Sequence, residues 1–173
     1  MKKLLISGGL AVAILLIAPA QTAFANFDQP DAFIKRIGSP HDSYHGKGIT
    51  NDTGDNQVAK ARFMVGDFGI FKVRVKNEGK LKDFYYVQGC EGTGKFNVKY
   101  ADPDGDNISS DVKDGTYSTL TKDPDEASNV MFVGIKAKSS ANPGDRRICK
   151  IEFDSDGSPG TMDVVRAVGK VIH

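Results

Sequence analysis

Alternation of apolar and polar residues with a period of two recurs along this chain and constrains its fold more than any other feature. In "FGIFKVRVKN", Phe71, Val73 and Val75 fall on one side of an extended backbone and Lys72, Arg74 and Lys76 on the other, because successive side chains of a strand point to opposite faces. "KFNVKYA" sets Phe96, Val98 and Tyr100 against Asn97 and Lys99, and "RRICKIEFDS" sets Cys149, Ile151 and Phe153 against Lys150 and Glu152. Each such strand has one buried and one wet face. Further strands are predicted over 32–37, 58–65, 83–88, 130–138 and 162–171. Between them lie "NDTGDN", "NEGK", "GCEGTG", "ADPDGDN", "KDPDEAS", "SANPGD" and "DSDGSPG", rich in the residues that reverse a backbone. Past the N-terminus no long segment sustains a 3.6-residue apolar period. Short strands at this spacing predict an all-β, antiparallel sandwich rather than a helical or alternating α/β fold.

The first residues, "MKKLLISGGLAVAILLIAPAQTAFAN", carry two lysines, an apolar run, Pro19 and then Ala23-Phe24-Ala25. A basic start, a short apolar stretch and an A-x-A site are the marks of a secretory signal peptide, expected to be removed after Ala25. A membrane anchor fits less well, because Ser7, Gly8 and Gly9 interrupt a stretch already shorter than the roughly 20 residues a bilayer requires. The expected organisation is a signal peptide over 1–25 and one domain over 26–173, secreted to the periplasm, cell exterior or cell surface. Removal of the leader takes two of the 23 basic residues and none of the 22 acidic ones, which leaves a formal charge near −1. That balance points away from nucleic acid and from electrostatic membrane binding. Two cysteines, Cys90 and Cys149, lie in the exported part. An even count in an oxidising compartment predicts one disulfide, with two separately buried thiols as the alternative.

From Pro30 to Val171 several motifs occur in a telling order: "NDTGDNQ", the V-x-V-x-N-x-G run at Val73 to Gly79, "FNVKY", "DGTYSTL" and the terminal "DVVRAV". In that order the chain resembles the bacterial extracellular immunoglobulin-like domains related to CARDB, the cell-adhesion-related domain. The resemblance implies a single immunoglobulin-like sandwich of about seven to eight strands, of a kind that spaces, displays or adheres, with no catalytic residues to carry over. The chain departs from the pattern in three ways: a single copy behind its own leader, the Cys90/Cys149 pair, and unusually acidic turns. A lone copy has nothing to space, which weakens the spacer role.

The most pointed chemical motif is "YADPDGDNISSDVKDG". Asp102, Asp104 and Asp106 alternate as in a helix-loop-helix calcium site, but glycine stands at the fourth place (Gly105), Asn107 at the sixth and Lys113 at the twelfth. Such a loop needs glycine sixth and a bidentate acid twelfth, so that motif is excluded. An irregular, weak calcium site from Asp102, Asp104, Asp106 and Asp111 stays open beside the plainer reading of an acidic turn. "GCEGTGKF" has the spacing of a phosphate-binding loop but places Phe96 where Ser or Thr is required, and a strand pattern follows it instead of a helix. His41 and His45, with Asp42, sit in a loop and would leave a zinc shell incomplete. No serine or cysteine is paired locally with a base, and the carboxylates lie in wet turns that suit acid catalysis poorly.

These observations predict a non-catalytic module that works through surface contacts, as an adhesion domain or a subunit of a cell-surface or extracellular assembly. Its partner would be a protein or a surface glycan, with self-association by exchange of the segment "NFDQPDAFIKRIG" as one route. The rival expectation is calcium-assisted binding of carbohydrate or another small ligand, with the acidic turns gathered beside exposed rings of Tyr44, Tyr85 and Tyr117.

Overall fold

A computed structural model of the protein describes residues 29–38 and 43–173; the expected leader over 1–25, and His41 and Asp42, lie outside them. The described elements are β1 Pro30–Arg36, β2 Val58–Phe63, β3 Phe68–Asn77, β4 Tyr85–Gly89, β5 Phe96–Ala101, α1 Ser109–Lys113, β6 Tyr117–Ser118, β7 Ala127–Ala137, β8 Arg146–Ser155 and β9 Met162–Val171. They form a four-stranded sheet, β1-β3-β7-β5, and a five-stranded sheet, β2-β9-β8-β4-β6. The order β1-β3-β7-β5 against β9-β8-β4 matches the ABED and GFC sheets of an immunoglobulin-like sandwich. β2 and β6 extend the second sheet at its two edges.

Two details differ from the sequence expectation. β2 runs parallel to β9, from Val58↔Arg166 to Phe63↔Val171, so the second sheet is mixed rather than antiparallel. The chain leaves β1 in one sheet, crosses to the other and lies alongside its own last strand, a pairing that period-two alternation does not specify. The described strands also number nine, because the two-residue β6 pairs with β4 at Tyr86↔Ser118 and Val87↔Tyr117.

The side chains that alternation places inward are buried: Phe71, Val73 and Val75 from β3, Phe96, Val98 and Tyr100 from β5, and Cys149, Ile151 and Phe153 from β8. Removing each large apolar side chain from water contributes about 1.5–3 kcal/mol. Tyr85 joins them at 0% exposure, which corrects its expected place among the exposed rings; it starts β4 on the same parity as the buried Val87. Among the described residues no helix is long and apolar enough to cross a membrane.

Cys90 and Cys149 are bridged, with Cα atoms 5.3 Å apart and a separation of 59 positions in sequence. Cys90 directly follows β4 and Cys149 lies in β8, its hydrogen-bonded neighbour. The bridge therefore ties two strands of one sheet, whereas the disulfide of antibody domains joins the two sheets. Tyr100 reaches it from the opposite sheet. Its hydroxyl donates to the Cys90 carbonyl at 2.8 Å and lies 3.1 Å from Cys149 Sγ, and burial raises its pKa well above the ordinary phenol value. A Cβ at Gly89 would sit 2.5 Å from that hydroxyl oxygen, so the tyrosine's approach demands glycine there.

Candidate functional site on the four-stranded sheet

The outward residues of β3, β7 and β5 form three cross-strand rows. Phe68 stands opposite Lys136 and Asn97, Ile70 opposite Gly134 and Lys99, and Lys72 opposite Phe132 and Ala101. Gly134 occupies the centre of this face, and its missing side chain leaves a notch between Ile70, Lys99, Phe132 and Lys136. The resulting groove has a volume of about 670 Å³ and continues to Gly105 and Asn107 at the acidic turn. Phe68 is 59% exposed at one end. The Lys72 ammonium lies 5.8 Å from the Phe132 ring centre, a cation–π distance.

Gly134 is not required by packing. A Cβ there would meet only the Lys99 carbonyl, at 3.9 Å, in contrast to Gly89. A mid-strand glycine costs stability, roughly 0.5–1 kcal/mol relative to alanine, and such a residue often marks where a ligand or another backbone comes close. The groove around it supplies two aromatic rings, an aliphatic side chain, amides and ammonium donors. That set can hold a peptide or a sugar by apolar contact and hydrogen bonds, and it contains no nucleophile paired with a base.

The acidic turn folds upon itself. Asp102 Oδ1 accepts the backbone N–H groups of Asp104 at 3.0 Å and Asp106 at 2.8 Å, the Asp102 N–H donates to the Asp106 carbonyl, and Gly105 takes φ +98°. Asp111 lies on α1, where its Oδ1 accepts from the Ser110 hydroxyl. Among the described residues, no three Asp, Glu, His or Cys side chains gather in a manner that would hold a metal ion. The turn does border two hollows: the groove, and a second of about 490 Å³ that joins Asp102 and Asp104 to Tyr117, Leu120 and Lys122. Tyr117 is half-buried and donates to the Val130 carbonyl at 3.3 Å; burial, and then the nearby Asp102 carboxylate, raise its pKa. Tyr44 is also half-buried, edge-on to Phe33 at 5.2 Å and under the Lys35 ammonium at 4.9 Å. The exposed tyrosine is Tyr86. His45 pairs through its backbone with Ile34, and "GCEGTGKF" leads into β5, as the alternation that follows it predicts.

Sequence reasoning missed a buried polar knot. Asp163 accepts from the backbone N–H of Ala32 at 2.6 Å, Asn51 at 3.0 Å and Val164 at 2.9 Å, and from Gln57 Nε2 at 2.9 Å. Burial raises its pKa to about 6 against the pull of these donors. Asn51 Oδ1 accepts from Thr53, Gly54 and Asp55, while its Nδ2 donates to Gln57 Oε1 at 2.7 Å. Both oxygens of Asp31 accept from Gly48 N at 2.9 Å, and burial raises this carboxyl too. The knot joins β1, the 46–57 connection and β9, so "NDTGDNQ" and the start of "DVVRAV" serve the fold. The signal was available: Asp163 shares the parity of Val165 and Ala167, which are inward.

No family model and no curated protein matches the chain. Three solved structures are similar at 13% identity: a family 123 glycoside hydrolase from Clostridium perfringens, described for glycolipid glycan hydrolysis (TM-score 0.47, 83% of this chain and 27% of that one); the VesB protease of Vibrio cholerae (TM-score 0.38, 65% and 30%); and an ASH/PapD-like domain, domain 7, of human CEP192 (TM-score 0.34, 66% and 81%). The chain thus spans less than a third of the hydrolase and protease chains.

Proposed function

We propose that this protein is a secreted, non-catalytic β-sandwich that acts through surface contacts, as an adhesion module or a subunit of a cell-surface assembly, and that its contact site is the groove over Gly134. The open mid-strand glycine carries the reading, because its cost to the strand is recovered only when something approaches the sheet there. The leader-like first residues and the disulfide support export. The carboxyls that burial raises, Asp31 and Asp163, are turned onto backbone amides inside the fold and away from the groove, which supports a role without acid–base chemistry. The order of the CARDB-like motifs supports adhesion.

Amide-resolved NMR of the purified protein tests this, with a concentration series for self-contact and titrations with neutral and amino-sugar oligosaccharides. The expected perturbations centre on residues 68–72, 97–101 and 132–136. Perturbations confined elsewhere sink the proposal. The second reading, calcium-assisted ligand binding, draws on the acidic turn forming one wall of the groove. It predicts that calcium alone shifts the amides of Asp102 to Asn107 and tightens binding.

A further inference from the structure

The opposite sheet carries a different chemistry. On the outer face of β2-β9-β8, Arg62, Lys170 and Arg146 stand directly opposite one another in one cross-strand row. The next row of that face is Lys60, Val168 and Ile148, and the row beyond it is Val58, Arg166 and Lys150. Strands lie about 4.8 Å apart and rise about 3.4 Å per residue, so rows of cations roughly 14 Å apart flank the aliphatic pair Val168 and Ile148, with Lys60 at the edge of the same row. Val168 is only 4% exposed while Ile148 is 44% exposed, and a hollow of about 290 Å³ opens there.

Folding does not account for this arrangement. Like charges directly opposite across strands destabilise a sheet. Of the six cations, only Arg166 has an ion pair among the described residues, with Asp55 at 3.0 Å. Asp145, next to Arg146, is engaged by Lys95 at 2.8 Å. Lysine on an edge strand guards against aggregation, which covers Lys60 and Arg62 on β2. It does not cover Lys150, Arg146, Lys170 and Arg166, which lie on interior strands.

We infer that this face binds a linear acidic polysaccharide. The anions of such a chain recur singly, once per sugar, and meet the cation rows, while the C–H faces of the rings lie on the exposed Ile148 between them. Counterion release from the polymer supplies a gain that single exposed ion pairs lack. The outward residues here include no aromatic ring, so stacked nucleobases have no platform. Val168 lies recessed beneath longer cationic side chains and offers a bilayer no anchor. The face lies on the sheet opposite the groove, and the inference stands or falls independently of that site.

The test is calorimetric titration of the purified protein with polygalacturonate, with neutral dextran as control. Binding to polygalacturonate alone is expected, weakening at least about tenfold between 50 and 300 mM NaCl. Lys170→Glu should weaken it about tenfold or more, whereas Lys113→Glu, on α1, should change it less than about twofold. Lys170→Glu should also melt no lower than wild type, because it separates Arg62 from Arg146 with an opposite charge; Lys170→Gln gives the same reading without reversal. Equal affinity for dextran, or equal losses in the Lys170 and Lys113 variants, would overturn the inference. So would tighter binding of duplex DNA or phosphatidylglycerol vesicles through Lys170, or self-association through Lys170 that polygalacturonate does not displace.

Discussion

Asp163 shows how one residue can hold a fold together and make it sensitive to pH. Burial raises its pKa from 3.8 to about 6, so between these values the folded state holds a proton that the unfolded chain has released. Stability must then fall as pH rises from about 4 to about 6 and level off above, by up to roughly 3 kcal/mol in total. The measurement is urea unfolding across that range: wild type should show the downward slope relative to Asp163→Asn, and parallel curves would refute the assignment. Asn51→Ala should cost about 2 kcal/mol, because it leaves the Gln57 side-chain oxygen and the backbone amides of Thr53 and Gly54 without their partner; a loss below about 0.5 kcal/mol, on the order of a surface change, would contradict that role. The burial of these polar residues was partly legible. Parity places Asn77 with Val75 and Asp163 with Val165, but Gln57 and Asp31 become interior only when the 46–57 connection folds over β1, and that is a tertiary event.

At the scale of elements, alternation located β2, β3, β4, β5 and β8 well because each buries one face and wets the other, whereas β1 and β9 are buried on both faces over much of their length. It misses α1, a five-residue helix too short to display a 3.6-residue period, and β6, whose two residues cannot alternate. Parallel pairing of β2 with β9 likewise leaves no local trace. The acidic turn was ambiguous because aspartate serves both calcium and the backbone; here the Asp102 carboxylate is occupied by two amides. Asp102→Ala should therefore lower stability by about 1 kcal/mol, while Asp104→Asn changes the melting temperature little in the presence of either calcium or chelator. A calcium-dependent rise abolished by Asp104→Asn would instead establish a metal site. The bridge between Cys90 and Cys149 closes a loop of about 60 residues, worth roughly 4 kcal/mol in the chain-entropy model. Cys90→Ala/Cys149→Ala should lower the urea midpoint accordingly, and an unchanged midpoint would show that β4 and β8 hold together without it.

For the whole molecule, a near-neutral composition conceals separated surfaces. One sheet presents aromatic rings and lysines around a glycine notch, the other presents cations around a pair of aliphatic side chains, and the acidic turn 101–107 lies between β5 and α1. Composition cannot show this, because segregation depends on which strands are neighbours. Residues 132 to 136 illustrate the limit: alternation places Phe132, Gly134 and Lys136 outward together, yet only the adjacency of β3 and β5 turns them into a groove. The most direct measurement compares wild type with Gly134→Val for thermal stability, for self-association by sedimentation and for binding to an array of neutral and amino-sugar glycans, which the cationic face of the other sheet does not attract. Valine fills the notch and suits a strand better than glycine. The account predicts an equal or higher melting temperature together with loss of the contact wild type makes. Equal binding by the filled variant, or a wild type that associates with neither itself nor any glycan, would contradict it.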